Sequence, residues 1–183
     1  SVTIPEGVTS IGKDAFSRCV GLTSVTIPSS VTSIGEDAFF YCYGLTSIIV
    51  EKGNTKYDSR DNCNAIIETE SNTLVCGCKN TVIPEGVASI GKDAFSHCIG
   101  LTSVTIPEGV TGIGGSAFSD CSRLTSVTIP SSVTSIGGNA FEGCNEELVI
   151  YGKAGSYVEG YARENNIEFS TGEPPQPVEK KEI

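Results

Sequence analysis

The chain repeats itself at a fixed spacing, and this repeat limits its possible folds more than any other feature. Ile83, Ile106 and Ile129 follow one another at steps of 23 residues. Phe95 and Phe118 are separated by the same step, as are most of the cysteines. A period of this length is typical of a solenoid, in which each turn buries its apolar side only against its neighbours.

The pattern within one period predicts how a single turn is built. Val25 and Ile27 alternate with hydroxyl residues, as expected of a short strand with one buried face. Pro28 then ends the strand because it has no N–H to donate. Asp37 is placed to cap a short helical or 3₁₀ turn that carries Phe39 inward.

The full repeat is L-x-x-V-x-I-P-x-x-V-x-x-I-G-x-x-A-F-x-x-C. It occurs nearly in full at 22–42, 101–121 and 124–144, and in part at 1–19 and 78–98. This motif resembles the BspA-like leucine-rich repeats of bacterial surface proteins. The resemblance covers about residues 1–169 and implies a right-handed α/β solenoid, strand-rich with short helical or 3₁₀ turns, of about seven to eight turns. It also implies surface display and attachment to proteins or other cells.

One turn is longer than the others. Val50 and Ile83 are 33 residues apart, so residues 51–81 form an enlarged turn. Within it, Ile66-Ile67 and Leu74-Val75 flank a polar turn. That arrangement predicts a hairpin or two short strands.

The C-terminal part, residues 145–169, is predicted to cap the solenoid. Ser156 followed by Glu159 is a capping-box pattern for a helix from about Tyr157 to Glu164. Ile167 and Phe169 are expected to fold back over the open end. The cap therefore ends the repeat.

The two chain ends carry different expectations. Residues 170–183 form a Pro-rich linker or tail without core-forming side chains. The chain starts in mid-strand at Ser1 without a polar capping turn. We therefore expect either a piece of a longer array or self-association through the uncapped first turn.

A cysteine recurs three residues after the repeated phenylalanine. A small apolar thiol suits the interior of a stacked turn, so a structural column of buried free thiols is predicted. Its members are Cys19, Cys42, Cys98, Cys121 and Cys144. No paired histidine or C-x-x-C motif accompanies the column, so no metal site is expected. Packing also explains Cys76 and Cys78, although a disulfide involving Cys63 remains open.

Catalytic chemistry is not expected. His97 is the only histidine and precedes Cys98, but its position in the repeat is variable and therefore outward. A base must lie within hydrogen-bond reach of its nucleophile, which opposite faces forbid. We expect no catalytic residues and no cofactor.

Three aromatic residues break the repeat in the second turn. Phe40, Tyr41 and Tyr43 take positions that hold Ser119, Asp120 and Ser122 in the fifth turn. They either pad the enlarged turn or form, together with Tyr57, an exposed patch that contacts a partner.

Composition narrows the partners. The formal net charge is -10, which argues against nucleic acid and anionic membranes. No apolar run is long enough to span a membrane. We expect a non-catalytic cell-surface or secreted module that binds a protein or glycan, most simply in adhesion. The alternatives are a passive spacer that displays another domain and a cytosolic protein-interaction scaffold.

Overall fold

The computed structural model describes residues 1–175; residues 176–183, which belong to the predicted tail, lie outside the described residues. The chain is a strand-rich solenoid of about seven turns with one short helix, which confirms the predicted fold class. Its elements, in chain order, are β1 (Val2–Thr3), β2 (Ser10–Ile11), β3 (Ser24–Ile27), β4 (Ser33–Ile34), β5 (Ser47–Val50), β6 (Tyr57–Asp58), a 3₁₀ helix (Arg60–Asn62), β7 (Ala65–Glu68), β8 (Thr73–Gly77), β9 (Ser89–Ile90), β10 (Ser103–Thr105), β11 (Gly112–Ile113), β12 (Ser126–Thr128), β13 (Ser135–Ile136), β14 (Val149–Tyr151), α1 (Tyr157–Glu164) and β15 (Glu168–Ser170).

Stacked turns pair their strands on two sides of the solenoid. One side carries the sheets β1-β3-β5 and β10-β12-β14-β15, all parallel. The other side carries β2-β4 and the sheet β13-β11-β9-β8-β7-β6. Val25 lies opposite Ile48, one period away, and is 1% exposed. The alternation read from the sequence therefore points the predicted side chains inward.

The A-F-x-x-C segment closes each regular turn with hydrogen bonds between residues three apart. The Cys42 N–H, for example, donates to the Phe39 carbonyl at 3.3 Å. These bonds are of the 3₁₀ kind, but Asp37 and Tyr41 have φ of 56° and 61°. Left-handed residues interrupt a helix, so the segment is a series of separate turns. The expectation that Asp37 caps a helix is wrong for this reason.

The hydrophobic core has two parts that meet at the enlarged turn. The N-terminal cluster runs from Ile4 to Cys78 and includes Ile66. The C-terminal cluster runs from Cys63 to Ala162 and includes Ile67 and Leu74. The antiparallel hairpin β7–β8 was predicted in this region, and it separates the two clusters. Strand β6 extends the hairpin by pairing with β7.

The C-terminal end has the predicted helix with a different cap. The Glu159 carboxylate accepts the Gly155 N–H at 2.6 Å rather than the Ser156 N–H. The Ser156 hydroxyl is buried without a partner among residues 1–175, so the expected capping box does not form. Ile167 and Phe169 pack on the core, where β15 pairs with β14. In this part of the chain no helix has the length and apolarity needed to cross a bilayer.

Candidate binding cleft

The third turn, residues 45–77, is enlarged on one side and shortened on the other. In the second turn an A-F-x-x-C segment links Ile34 to Leu45. The third turn has no such segment, because β8 leads from Leu74 directly to Cys78. The Gly77 N–H donates to the Ala94 carbonyl at 2.8 Å, so β8 lies against the fourth turn. A gap remains between β8 and the second turn.

A cavity of about 290 Å³ fills this gap. Its apolar walls include Phe39, Val75, Cys76 and Cys98. The cavity opens to solvent at one side, and its volume is close to the lower end of that of ligand-binding pockets. It lies between two separate stacks of phenylalanine rings. One stack is Phe16–Phe39 at 5.4 Å, and the other is Phe95–Phe118–Phe141 at 5.0 and 5.3 Å.

The missing segment also interrupts a ladder of backbone hydrogen bonds. In the first turn the Phe16 and Arg18 N–H groups donate to carbonyls of the second turn at 2.8 and 2.7 Å. The fourth and fifth turns repeat these bonds with their own following turns. The equivalent N–H groups of Phe39 and Tyr41 find no acceptor within residues 1–175. Two backbone donors therefore face the cleft without a partner in the described chain.

Aromatic side chains cross the mouth of the cleft. Phe40 and Tyr41 are in contact, with ring centroids 4.3 Å apart, and Tyr43 lies 5.5 Å from Tyr41. His97, from the fourth turn, stacks on Tyr41 at 3.9 Å. All four side chains are half-buried. The structure thus brings Phe40, Tyr41 and Tyr43 together and adds His97, which the sequence analysis did not place in this group.

His97 was detectable from the repeat, because it occupies the same position in its turn as Tyr41. That column also contains Arg18, whose guanidinium carbon lies 5.2 Å from the Tyr41 ring centroid. Asp120 continues it, with Oδ2 3.5 Å from His97 Nε2. The repeat alone does not predict that Tyr41 and His97 are neighbours across the shortened turn.

Tyr57 does not belong to the exposed patch, and that expectation is corrected. Its side chain is 8% exposed and lines the interior of the cleft. Its hydroxyl accepts the Ile34 N–H at 3.1 Å. Tyr57 lies one period after Ile34, an inward position of the repeat, so its ring is buried instead of facing solvent.

Charged side chains surround the rim of the cleft. Lys92 Nζ lies 3.1 Å from Glu36 Oε1 and bridges the second and fourth turns. Glu36 also pairs with Lys13 at 3.3 Å. Burial raises the pKa of Asp37, and the nearby Asp93 and Glu36 carboxylates raise it further. The rim therefore carries an excess of negative charge.

The cysteine column has a specific contact in the regular turns. Sγ of Cys42, Cys121 and Cys144 each donates to the phenylalanine carbonyl of the preceding turn at 3.1 Å. Cys98 lacks this acceptor because the third turn has no phenylalanine, and its side chain lines the cavity. The prediction of a buried thiol is wrong for Cys19, which is exposed because no preceding turn in the described chain packs against it. Burial raises the pKa of Cys98 to about 12, so the thiol next to His97 stays protonated near neutral pH.

The remaining thiols are also free. The Cys63 thiol donates to the Ala65 carbonyl at 3.9 Å and the Cys78 thiol to the Asn64 carbonyl at 3.5 Å, so the structure contains no disulfide at Cys63. Burial raises the pKa of Cys76, which faces the cavity. Among residues 1–175 no three His, Cys, Asp or Glu side chains gather as a metal site would require.

Comparison with solved structures identifies similar folds. A leucine-rich repeat protein from Eubacterium ventriosum is 26% identical over 85% of this chain and 42% of that chain, with a TM-score of 0.70. One from Bacteroides ovatus is 27% identical over 92% of this chain and 41% of that chain, with a TM-score of 0.60. The present chain spans less than half the length of either protein. The pneumococcal vaccine antigen PcpA, at 14% identity, 90% and 60% coverage and a TM-score of 0.52, shares the fold alone.

Comparison with curated proteins finds no match. A family model does match, over residues 1–75 and 66–151 in six copies. Its description is the BspA type leucine-rich repeat region. The match covers most of the chain and agrees with the stacked turns and their repeated hydrogen bonds. The chain therefore belongs to the BspA-type leucine-rich repeat family.

Proposed function

We propose that this domain is a non-catalytic binding module, and that it contacts a partner protein through the cleft at the shortened third turn. One observation carries the proposal. Elsewhere the columns that hold Phe40, Tyr41 and Tyr43 contain mostly small or polar residues such as Ser119 and Ser122, although Val20 and Ile99 share the Tyr43 column. Only beside the cleft do aromatic rings gather at the surface of the described turns. Aromatic side chains next to a cavity are typical anchors of protein interfaces.

The chemistry of the cleft favours binding over catalysis. The family and its fold are typically non-catalytic. Cys98 is the nearest candidate nucleophile, and its raised pKa keeps it in the unreactive thiol form. His97 is engaged by the Tyr41 ring on one side and by the Asp120 carboxylate on the other.

Family resemblance supports display on a bacterial surface or secretion, and adhesion to proteins or other cells as the role of binding. In that setting the solenoid presents the cleft to a partner while its stacked turns hold the cleft rigid. A passive spacer would bind no partner through the cleft. Removing the aromatic residues should therefore reduce partner binding if the domain is a binding module, and should have no effect on binding if it is a spacer.

The repeat itself supplies a substitution that should preserve folding. The triple variant Phe40→Ser, Tyr41→Asp, Tyr43→Ser gives the second turn the side chains that the fifth turn carries at Ser119, Asp120 and Ser122. The measurement is capture of the purified domain on a panel of immobilised extracellular matrix proteins. The matched control, Val82→Ser, removes an apolar side chain that is 73% exposed and outside the cleft.

We expect the wild type and the control to be captured and the triple variant to show no capture. Equal capture of all three would remove the aromatic cluster as the contact site. A wild type that binds no member of the panel would favour the spacer.

A further inference from the structure

The cleft lies where a regular third turn would place its A-F-x-x-C segment, although Gly77 already donates to one carbonyl of that ladder, at Ala94. We propose that it binds an exposed segment of a partner protein that supplies this turn, with a phenylalanine side chain in the cavity and backbone hydrogen bonds to both walls. The inference rests on the proposed function and deepens it by naming the chemistry of the partner.

The second turn offers hydrogen-bond donors to such a segment. Its carbonyl groups at Ala38 and Phe40 already accept N–H groups from the first turn, so the ladder is in register up to this point. By the same register the N–H groups of Phe39 and Tyr41 point to the next turn, where residues 1–175 provide no acceptor. Buried backbone N–H groups are nearly always paired, which favours an occupant that carries carbonyl groups.

The fourth turn offers acceptors on the opposite wall. The carbonyls of Gly115 and Ser119, in the fifth turn, accept N–H groups from the fourth. Their counterparts in the fourth turn are the carbonyls of Lys92 and Ser96, which have no donor within the described residues. Donors on one wall and acceptors on the other are what a parallel strand or turn from another chain requires.

The side chain that fits the cavity follows from the interrupted ring stack. A regular third turn would place a phenylalanine between Phe39 and Phe95. Val75 and Cys76 are there instead, and they leave about 290 Å³ unfilled. Gly77 already covers the free face of Phe95, so an inserted aromatic ring would extend the Phe16–Phe39 stack and bury the apolar walls of the cavity. The Tyr41 and His97 rings would rotate apart to admit the segment, as half-buried side chains at interfaces commonly do.

The negative charges of Asp37 and Asp93 limit which phenylalanine-containing segments can bind. In the regular turns the residue before the conserved alanine is left-handed, as Asp37, Asp93 and Asn139 show. An incoming residue at this position would lie between Asp37 and Asp93. Each of these carboxylates would repel a third, so the segment should be neutral or basic there.

The test uses a peptide based on the chain itself. The probe has the sequence of residues 91–100 with Cys98→Ser, to prevent disulfides, and Asp93→Asn, to remove the repelling charge. It is titrated into isotope-labelled protein and followed by nuclear magnetic resonance. Because His97 is the only histidine of the protein, its ring signals report directly on opening of the Tyr41 stack. We expect saturable shifts of these signals and of the Phe39 and Tyr41 amide protons.

Two altered peptides examine the side-chain requirements. Phe95→Ala in the probe should weaken binding about tenfold or more, since the ring provides most of the apolar burial. Retaining Asp93 in the probe should weaken binding about fivefold. If all three peptides bind equally, the proposed phenylalanine and charge preferences are overturned.

Two protein variants test whether the peptide binds in the cavity. Val75→Phe and Cys98→Leu fill the cavity from different walls, so misfolding of one does not leave the question open. Both should abolish peptide binding, whereas Val82→Phe, which adds the same ring at an exposed site, should not change it. Peptide binding by either cavity-filling variant at the wild-type affinity would overturn the inference.

The outcome also separates this inference from the proposed function. Capture of matrix proteins through the aromatic cluster without peptide binding would overturn the inference alone. Peptide binding without capture of any matrix protein would support the inference and count against the proposed adhesion role.

Discussion

The fourth to sixth turns and the second turn have nearly the same sequence pattern but different surroundings. Phe118 stacks on a ring at each side, its N–H pairs with the Ala140 carbonyl, and Cys121 donates to a carbonyl of the turn before. Phe39 stacks on one ring only and borders a cavity on its other side. An unbroken repeat satisfies its own backbone and leaves no room for a ligand. The candidate site lies at the third turn, where the repeat is interrupted.

The break is bridged by long side chains in place of backbone hydrogen bonds. The Lys92–Glu36 ion pair crosses the cleft at one edge, and the Tyr41–His97 stack crosses it at the other. Both contacts involve half-buried or exposed groups, which rearrange more easily than a hydrogen-bonded ladder. The shortened turn can therefore open while the regular turns stay closed.

The largest expected difference between the two regions is in ring packing. Phe118→Ala should lower the free energy of unfolding by about 3–5 kcal/mol, because it leaves a void in a fully packed stack. Phe39→Ala should cost about 2 kcal/mol, since its ring already borders a cavity. Urea denaturation followed by circular dichroism measures both. Equal losses would contradict the distinction between the two regions.

The second prediction concerns pH. Burial raises the pKa of Cys98 to about 12 from an ordinary value of 9.0, and it also raises that of Cys121. Above pH 9 the unfolded chain releases these protons while the folded chain retains them, so stability is fully present below that pH and falls as pH rises. Each thiol contributes a slope of about 1.4 kcal/mol per pH unit.

Replacing either thiol isolates its contribution to that slope. Cys98→Ala and Cys121→Ala should each make the decline of unfolding free energy shallower between about pH 8 and about pH 10.5. A cleft filled with water would not desolvate Cys98. In that case only Cys121→Ala would change the slope, and the cavity would not be the apolar site described here.

At neutral pH the same two substitutions should lower the free energy of unfolding by different amounts, and this difference is smaller than the one expected for the phenylalanine variants. Cys121→Ala removes the thiol bond to the Phe95 carbonyl, which keeps the Cys98 N–H as a donor, and leaves a void in a fully buried position, so it should cost about 1–2 kcal/mol. Cys98→Ala removes no such bond and enlarges an existing cavity, so a loss below about 1 kcal/mol is expected. Thermal denaturation of the two variants tests the order, and a larger loss for Cys98→Ala would reverse it.

The smallest expected effect is at the mouth of the cleft. Tyr41→Asp removes ring contacts worth about 0.5–1.5 kcal/mol. It also places in a left-handed conformation a residue type that tolerates it, as Asp120 does with φ of 56°. The two effects oppose each other, so stability should change by less than about 1 kcal/mol. A larger loss would mean that Tyr41 serves folding rather than binding.

Much of the fold could be predicted because neighbouring turns determine one another. The 23-residue step places Val25, Ile27 and Phe39 inside, and the structure confirms each. The hairpin β7–β8 and helix α1 were also predicted, because their local patterns are strong. The capping box failed because Glu159 bonds to Gly155, a choice among adjacent N–H groups that the pattern does not resolve.

The candidate site was only partly predictable. Phe40, Tyr41 and Tyr43 stand out as departures from the repeat, but Tyr57 was misplaced, since its burial depends on alignment with Ile34 in a turn of altered length. From the sequence the third turn was predicted only to be enlarged, and the absence of an A-F-x-x-C segment before Cys78 was not recognised. Its consequence, an open space, was not visible in the sequence.

The period, the inward side chains and the position of the enlarged turn follow from the order of the amino acids, because contacts within and between regular turns repeat at constant separation. Three further features depend on how the turns are arranged in space: the contact of Tyr41 with His97, the loss of an acceptor for Cys98 and the cavity beside Phe39. These contacts join turns across an insertion without periodicity. They therefore depend on the path of the chain between Val50 and Cys78, which no repeat specifies.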